Sequence, residues 1–401
     1  MGYDETGRRE PPSDGAGPWV ALDDQLPDEP GPDRVAVHLG WEAVLLVGAA
    51  VLAYLLWQAQ PAALSGSGLR SLLIDLVALG LLTLAAELSL RTSAVNLAIG
   101  PVAVAAALHF AEQGERGVPA ALGPATVAAV LGGLVLALAV VVLRVPGWAA
   151  SLAGAAGVIG YIEQRTAPVL AQGEHDPRRN ALYLFAGFAA LAVLGGAFGA
   201  IRSVRRLVGR TRPGGDPAGR QGIAAAVVTG LSLVASTVLA VLAGVLLAAD
   251  ATAPLAPVNG LDLTVLAVGT AMLAGTSAYG RRGGIFGTLL AVSLVALFLA
   301  WVQARGWAVN RWAVGGTVLA VGLLVTRLVE TYGRPRAADA DGAESPTSGD
   351  GAISSGWSVP RTRPVNSWSP ALPTEPVRRP VDPWTTPDWG SGPRRWETDD
   401  G

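Results

Sequence analysis

The sequence predicts an all-α fold: a polytopic membrane helix bundle of about ten transmembrane helices, some of them broken, between two disordered tails. Hydrophobic residues make up 51% of the 401-residue chain, and charged residues only 15%. Apolar runs long enough to cross about 30 Å of hydrocarbon recur between residues 41 and 330. Outside that region the sequence becomes polar and rich in Pro and Gly. These three observations together favour a multi-pass membrane protein over a soluble domain.

The predicted helices follow one another with short connections. Their apolar runs lie at 41–58, 72–90, 94–111, 120–143, 147–163, 180–201, 222–248, 262–279, 284–303 and 312–329. Polar residues interrupt the runs 72–90 and 94–111, which could instead form one kinked helix followed by a half-helix. Small residues at helical spacing predict close packing between helices in the membrane, namely Gly154, Gly157, Gly160, Gly195 and Gly199.

The chain divides into three segments. Residues 1–40 hold nine acidic and three basic residues and form an acidic cytoplasmic tail. Residues 41–330 form the transmembrane domain, and residues 331–401 form a second tail that contains Pro, Trp and Arg. Both tails have too few aliphatic residues to fold, so we expect disorder. The Trp-Pro elements of the second tail could dock into a partner or rest on the membrane surface, or could belong to a linker without a partner.

The distribution of Arg predicts the orientation. The loop 202–221 contains six Arg, and short loops rich in basic residues stay on the cytoplasmic side. Six predicted spans precede this loop and four follow, so both termini are expected in the cytoplasm. Residues 1–40 do not have the basic start and short apolar run of a secretory signal peptide. The expected location is the plasma (inner) membrane.

The composition argues against an enzyme. The chain contains no Cys and no Lys, which excludes thiolate nucleophiles, Schiff-base lysines and the Lys of a P-loop. The three histidines, His38, His109 and His175, form no spaced ligand pair, so neither a metal nor a cofactor is expected. Nothing indicates a nucleic-acid partner.

Two acidic residues fall inside an apolar run. On one helix Asp75 and Glu87 are about 18 Å apart along the axis, too far to act as a catalytic pair. Glu87 precedes Arg91 by four residues, which predicts an ion pair on one helix face. Glu42 lies at the end of a span and is interpreted as an interface residue.

Three short segments carry the functional signal. Residues 93–101 (SAVNLAIGP) form a polar break within apolar sequence, of the kind that lines cavities in transporters. Residues 273–290 predict a short inward-facing helical hairpin, with GTSAYGRRGGIFGTLL at 275–290. Between them the cytoplasmic sequence GGDPAGRQGI occupies 214–223, and Asp216 and Pro217 there favour the start of a short helix.

At these segments the sequence resembles the permease subunits of bacterial ABC importers of the ribose and branched-chain amino acid type. NLAIG at 96–100 looks like that family's G-x-D-L-S-V-G element. Residues 275–290 are similar to its G-T-S-x-x-G-G-R-G-S-x-x-G-T-x-x-G element, and 214–223 resemble a shortened G-G-N-x-x-A-A-R-x-x-G-I loop. The chain departs from the pattern at Asn96, which replaces an acidic residue, and at Ala98, which replaces a Ser.

The resemblance implies a permease subunit that moves a small polar solute with ATP hydrolysed by partner subunits. The implied partners are cytoplasmic ATP-binding subunits, a second or related permease copy, an extracytoplasmic solute-binding protein and membrane lipids. Because the path has few buried charges, we expect a neutral sugar. The expected pathway residues are Asn96, Gly100, Gly275, Thr276 and Ser277, and the expected ATPase-coupling residues are Gly214, Gly215, Asp216, Pro217 and Arg220.

Other classes of protein stay open at this point. A membrane scaffold would recruit partners through its Trp-Pro tail. An ion-coupled secondary transporter would use Asp75 and Glu87, and an intramembrane enzyme would need a convergent acid–base or metal cluster.

Overall fold

The computed structural model describes residues 35–173, 175–201, 203–204, 222–277 and 284–333. These residues form ten α-helices and no β-strand, although a single bridge pairs Val169 with Leu255. The helices are α1 Val35–Ala59, α2 Gly66–Arg91, α3 Ile99–Gln113, α4 Val118–Ala137, α5 Gly147–Glu163, α6 Ala181–Ala200, α7 Ile223–Ala249, α8 Leu261–Leu273, α9 Gly287–Ala304 and α10 Arg311–Gly333. Both predicted tails lie outside the described residues, except for the first turns of α1 and the last three residues of α10.

Seven of these helices are long and apolar enough to cross a membrane: α1, α2, α4 with its π-helical extension Leu138–Val142, α6, α7, α9 and α10. The remaining three, α3, α5 and α8, contain 15, 17 and 13 residues. Many large apolar side chains of the long helices are exposed, as expected for surfaces that contact lipid. The prediction of an all-helical bundle is therefore confirmed for the described residues, and seven of the ten predicted spans have helices of spanning length.

Helix α2 occupies the centre of the bundle. It packs against α6, α7, α8 and α9, and all its residues from Leu72 to Glu87 are buried except Asp75. Leu82 and Ala85 are almost inaccessible and belong to the largest apolar cluster, which draws side chains from most of the other helices. A helix that is apolar on every face is stable only where protein or lipid surrounds it, and here most of the surroundings are protein.

Helices α2 and α3 run in opposite directions along α7. At one end Ser71 of α2 donates a hydrogen bond to Asp250, which follows α7. Near the other end of α2, Thr92 lies 2.8 Å from the hydroxyl of Ser232. Helix α3 then returns, so that Ala103 touches α7 at Gly244. These contacts define two ends of the bundle, called here the Asp250 end and the Arg91 end.

Close helix packing occurs at two of the expected glycines, Gly154 and Gly199, and at others that were not expected. A Cβ on Gly269 would lie 2.6 Å from the backbone N of Leu319, which shows how closely α8 approaches α10. The expectation of close packing is wrong for Gly157, Gly160 and Gly195, where a Cβ would meet nothing within 4 Å. These three glycines point away from the other described helices, a direction that sequence spacing alone does not reveal.

Two predicted helix boundaries are also corrected. Helix α1 begins at Val35, six residues before the predicted boundary of the acidic tail. Helix α8 ends at Leu273 rather than 279, because Gly275 adopts a positive φ of 94°, a conformation that ends a helix.

Candidate functional site

The most distinctive feature of the bundle is a buried non-helical junction at residues 92–98, between α2 and α3. Ser93 has a φ of 56°, a left-handed conformation that breaks the helix. Asn96 is completely buried, and its Oδ1 accepts a hydrogen bond of 3.0 Å from the backbone N–H of Ala98. This bond satisfies a donor at the start of α3 that would otherwise be unpaired in the protein interior. The predicted polar break is therefore present, and it is held by its own Asn.

Polar residues of α7 face this junction. The Thr92 hydroxyl lies 2.8 Å from the Ser232 hydroxyl, and the Asn96 amide donates to Ser236 Oγ at 3.1 Å. Ser236 is the middle residue of α7, a helix of 27 residues. Ser236 therefore lies about 20 Å along the helix axis from each end of α7. If α7 spans a membrane, Asn96, the partner of Ser236, lies near its middle. The junction thus places polar side chains and irregular backbone near the middle of the bundle.

Helices α5 and α8 close the junction on its other sides. Ser151 of α5 donates a hydrogen bond of 2.8 Å to the carbonyl of Val95. Thr264 of α8 donates to the carbonyl of Leu97 at 3.1 Å and accepts the N–H of Gly100 at 3.0 Å. Three helices therefore supply hydrogen-bonding side chains to a single break, which leaves few of its polar groups unpaired.

Gly100 is a point of direct backbone contact between α3 and α8. A Cβ at this position would collide with the carbonyl oxygen of Gly260 and would lie 2.6 Å from Thr264 Oγ1. Pro101 follows inside the first turn of α3, where Pro is tolerated. The break consequently ends earlier than the predicted segment 93–101.

A second helix break lies between α8 and α9, where Gly275 follows the end of α8. Thr276 and Ser277 are buried, and the Thr276 hydroxyl has no hydrogen-bond partner among the described residues. Helix α9 starts at Gly287, which touches the carbonyl of Ala274. Residues 278–283, the turn of the predicted hairpin, lie outside the described residues.

Helix α1 holds this second break in place. Glu42 is buried, and its Oε1 accepts the backbone N–H of Phe286, 2.8 Å away, immediately before α9. Trp41 donates its indole N–H to the carbonyl of Leu273 at 2.8 Å. A carboxylate at the N-terminus of a helix is favourable because unpaired N–H groups converge there. The interpretation of Glu42 as an interface residue is thus incomplete, since it also binds the start of α9.

Glu87 connects α2 to the same region. Its Oε1 accepts the Thr288 hydroxyl at 2.6 Å, and Arg91 Nη2 lies 3.4 Å from its Oε2. The predicted ion pair is therefore present, and Thr288 of α9 adds a partner from another helix. Asp75 lies far from Glu87, toward the Asp250 end, where Asp250, Arg178 and Arg311 act on it electrostatically.

Ion pairs stabilise the segments that connect the helices at the Asp250 end. Arg178 Nε lies 2.6 Å from Asp250 Oδ1, and Arg165 forms two hydrogen bonds to Glu112 at 2.6 and 3.0 Å. The bonds to Glu112 raise the pKa of the Arg165 guanidinium above its already high usual value. No group of three or more acidic or histidine side chains that could hold a metal ion occurs in the described segments.

The structure groups the expected pathway residues in two places. Asn96 and Gly100 belong to the junction 92–98 and its immediate continuation. Gly275, Thr276 and Ser277 follow the C-terminal end of α8, whereas Gly100 contacts its N-terminal end. The two groups are thus separated by the length of α8, about 18 Å. The expected coupling residues Gly214, Gly215, Asp216, Pro217 and Arg220 lie outside the described residues.

Sequence reasoning missed the polar residues that surround the junction: Ser151, Ser232, Ser236 and Thr264. Two of them, Ser232 and Ser236, stand four residues apart on one face of α7. A polar stripe on an otherwise apolar helix was the available signal for them. Ser151 and Thr264 give no such signal, because neither has a Ser or Thr three or four residues away in its helix.

The fold defines a helical, multi-pass membrane protein with two internal helix breaks. Searches for similar proteins add no narrower class: no family model, no curated protein and no solved structure matches this chain.

Proposed function

We propose that this chain is the membrane-spanning permease subunit of an ABC transporter, and that it moves a small neutral polar solute, a sugar, using ATP hydrolysed by partner subunits. The observation that carries the proposal is the junction at 92–98. Irregular backbone at membrane depth is tolerated only where protein buries it or where it lines a cavity. In transporters such breaks are where a solute path is built.

The hydrogen bonds of the junction suit a path that opens and closes. Thr92 and Asn96 of the junction bond through their side chains to Ser232 and Ser236 of α7. Separation of α7 from the junction would expose these groups to water, which can replace each lost bond. Two arrangements of the same helices then differ little in hydrogen bonding, as a bistable element requires.

The second helix break, between α8 and α9, could move when a partner subunit binds. Three separate contacts from α1 and α2, made by Trp41, Glu42 and Glu87, hold the start of α9 or the end of α8. Residues 214–220 lie between α6 and α7 in the sequence, and the ends of these two helices that flank them are at the Arg91 end. We place the partner ATP-binding subunits at this end, with Asp216 and Pro217 at the start of the coupling helix.

The remaining parts of the proposal follow from the resemblance. A second permease copy or a related permease would complete the path, and an extracytoplasmic solute-binding protein would deliver the sugar to the Asp250 end. The chain would lie in the plasma (inner) membrane with both termini in the cytoplasm. Its own residues contribute the path and the coupling, and the partner subunits contribute the hydrolysis of ATP.

One observation favours a second candidate, an ion-coupled secondary transporter. Glu87 is a buried carboxylate whose partners, Thr288 and Arg91, lie on two helices. An intramembrane carboxylate of this kind can carry a proton during transport. The source of energy distinguishes this candidate from the ATP-driven one.

The test is uptake of labelled sugars by the host organism. A strain without this chain and a complemented strain are compared with ¹⁴C-labelled pentoses and hexoses. We expect uptake of one of them to require the chain, to stop when arsenate depletes ATP, and to persist when a protonophore collapses the proton gradient at constant ATP. Uptake that needs the gradient and not ATP would establish the secondary transporter instead. Identical uptake of every sugar in both strains would overturn the proposal.

A further inference from the structure

An open cleft lies at the Asp250 end, between the N-termini of α8 and α10. It has a volume of about 470 Å³ and is lined by Val258, Asn259, Asp262, Asn310, Arg311 and Trp312. This volume falls within the range of about 300–1,000 Å³ that is typical of small-molecule sites. The cleft belongs to neither helix break.

Within its buried stretch, the central helix α2 has one exposed residue, Asp75, on the side of this cleft. Asp75 is exposed, whereas every other residue of α2 from Leu72 to Glu87 is buried. An exposed carboxylate on the central helix of a bundle requires an opening between the surrounding helices. Arg311, on the wall of the cleft, is near enough to Asp75 to act on it electrostatically. The opening at Asp75 and the cleft therefore lie on the same side of the bundle.

The polar groups of the cleft remain available for a ligand. Asn259 Oδ1 accepts the N–H of Leu261 at 3.0 Å, and Asn310 Oδ1 accepts the N–H of Trp312 at 2.9 Å. Each bond uses the amide oxygen and fixes the side chain, so the amide NH₂ groups have no protein partner among the described residues. Asp262 is half-buried and adds acceptors, and Arg311 adds donors.

The apolar part of the lining consists of one aromatic and one aliphatic residue. Trp312 is 48% exposed, and Val258 is exposed to the same extent. An indole offers a broad apolar face beside the polar groups, and pockets of this composition fix a ligand by a few polar contacts and a larger apolar one.

The charges around the cleft select against a charged ligand. Two residues of the lining, Arg311 and Asp262, carry opposite charges. The opposing charges offset one another, so neither an anion nor a cation meets a strong field. A neutral ligand with several neighbouring hydroxyls can use both the donors and the acceptors.

We propose that this cleft is the entry site for the solute and that it binds a monosaccharide, with Trp312 against the sugar ring and Asn259, Asp262, Asn310 and Arg311 on its hydroxyls. This inference rests on the proposed transport of a sugar and adds to it a place of first contact, separate from the junction at 92–98.

The test uses the absence of Cys from the chain. A single Cys at Val258 inside the cleft, V258C, is labelled with a maleimide dye in the purified full-length protein. D-ribose, D-xylose, D-glucose, D-galactose and the zwitterion L-leucine are the added probes. The matched control is T252C, because Thr252 is exposed in the same connection but does not line the cleft.

We expect one of the monosaccharides to slow labelling of V258C about tenfold at ten times its dissociation constant, and to leave T252C unchanged. Adding W312A to V258C should raise the sugar concentration that halves the labelling rate about fivefold, because the variant loses an aromatic contact with the sugar. No protection by any of the four sugars, or equal protection by leucine, would overturn the assignment. The proposed function is judged separately by sugar uptake, so uptake that depends on the chain together with unprotected V258C would refute only the cleft.

Discussion

Replacing Gly100 by Ala tests the contact between α3 and α8 most sharply. The new Cβ would lie 2.6 Å from Thr264 Oγ1 and 2.7 Å from Thr264 N, and it would also strike the carbonyl of Gly260. The two helices must therefore move apart at this point. That movement would stretch the hydrogen bond from the Gly100 N–H to Thr264 and the bond from Thr264 to the carbonyl of Leu97.

The expected loss in free energy of unfolding is the sum of three terms. Overpacking of a close contact costs about 1–3 kcal/mol. Each of the two stretched hydrogen bonds contributes about 1 kcal/mol. The higher helix propensity of Ala offsets about 0.5–1 kcal/mol of this loss. The net destabilisation is about 2–4 kcal/mol, which lowers the Tm of a bundle of this size by about 5–10 °C.

The matched control is Gly157→Ala in α5, where a Cβ meets nothing within 4 Å. This variant gains the same helix propensity without a collision, so its Tm should equal or slightly exceed that of the parent. Thermal unfolding in detergent can be followed by the fluorescence of the 12 Trp residues. If G100A and G157A unfold within about 2 °C of each other, the direct contact of α3 with α8 is refuted.

Three further predictions concern the segments outside the bundle core. A Cys at Thr252 should react with an impermeant thiol reagent applied from outside, and a Cys at Thr211 should not; the reverse pattern would contradict the proposed orientation. Replacing Asp216 and Pro217 together by Gly keeps every Arg, so insertion should be normal, while binding of the ATP-binding subunits weakens and uptake stops; uptake at the parental rate would refute the coupling role. Truncation after Arg336 should leave the folded protein and its uptake intact, measured by size-exclusion chromatography and sugar transport, because the composition of the tail predicts no packed core; loss of folded protein would show that the tail is structural.

The helices were predictable because hydrophobicity over about 20 residues is a local property of the sequence. The apolar runs predicted a helix at each of the ten positions, and the polar, Gly-containing sequence 93–101 predicted the first break. Their ends were less predictable. Helix α8 ends at Leu273 although apolar residues continue to Ala274 and Ala278, because the backbone conformation of Gly275 decides the end.

The partners of the junction were not predictable from local sequence. Thr92 and Asn96 meet Ser232 and Ser236 across a separation of 140 residues, which depends on how α2 and α3 lie along α7. The contact of Glu42 was not predictable for the same reason. At the end of an apolar run a Glu is typical of the membrane interface, and only the packing of α1 on α9 shows that it binds the backbone of Phe286.

The central claim is that the junction at 92–98 belongs to a path that opens during transport. The most direct measurement uses S236C, a conservative change at a completely buried residue beside Asn96. The control is A121C, at a buried residue of α4 that belongs to a separate apolar cluster. A small water-soluble thiol reagent is applied to membranes with and without ATP. We predict that S236C reacts only when ATP is present and that A121C stays unreactive in both conditions. Equal reactivity of S236C with and without ATP would contradict the claim.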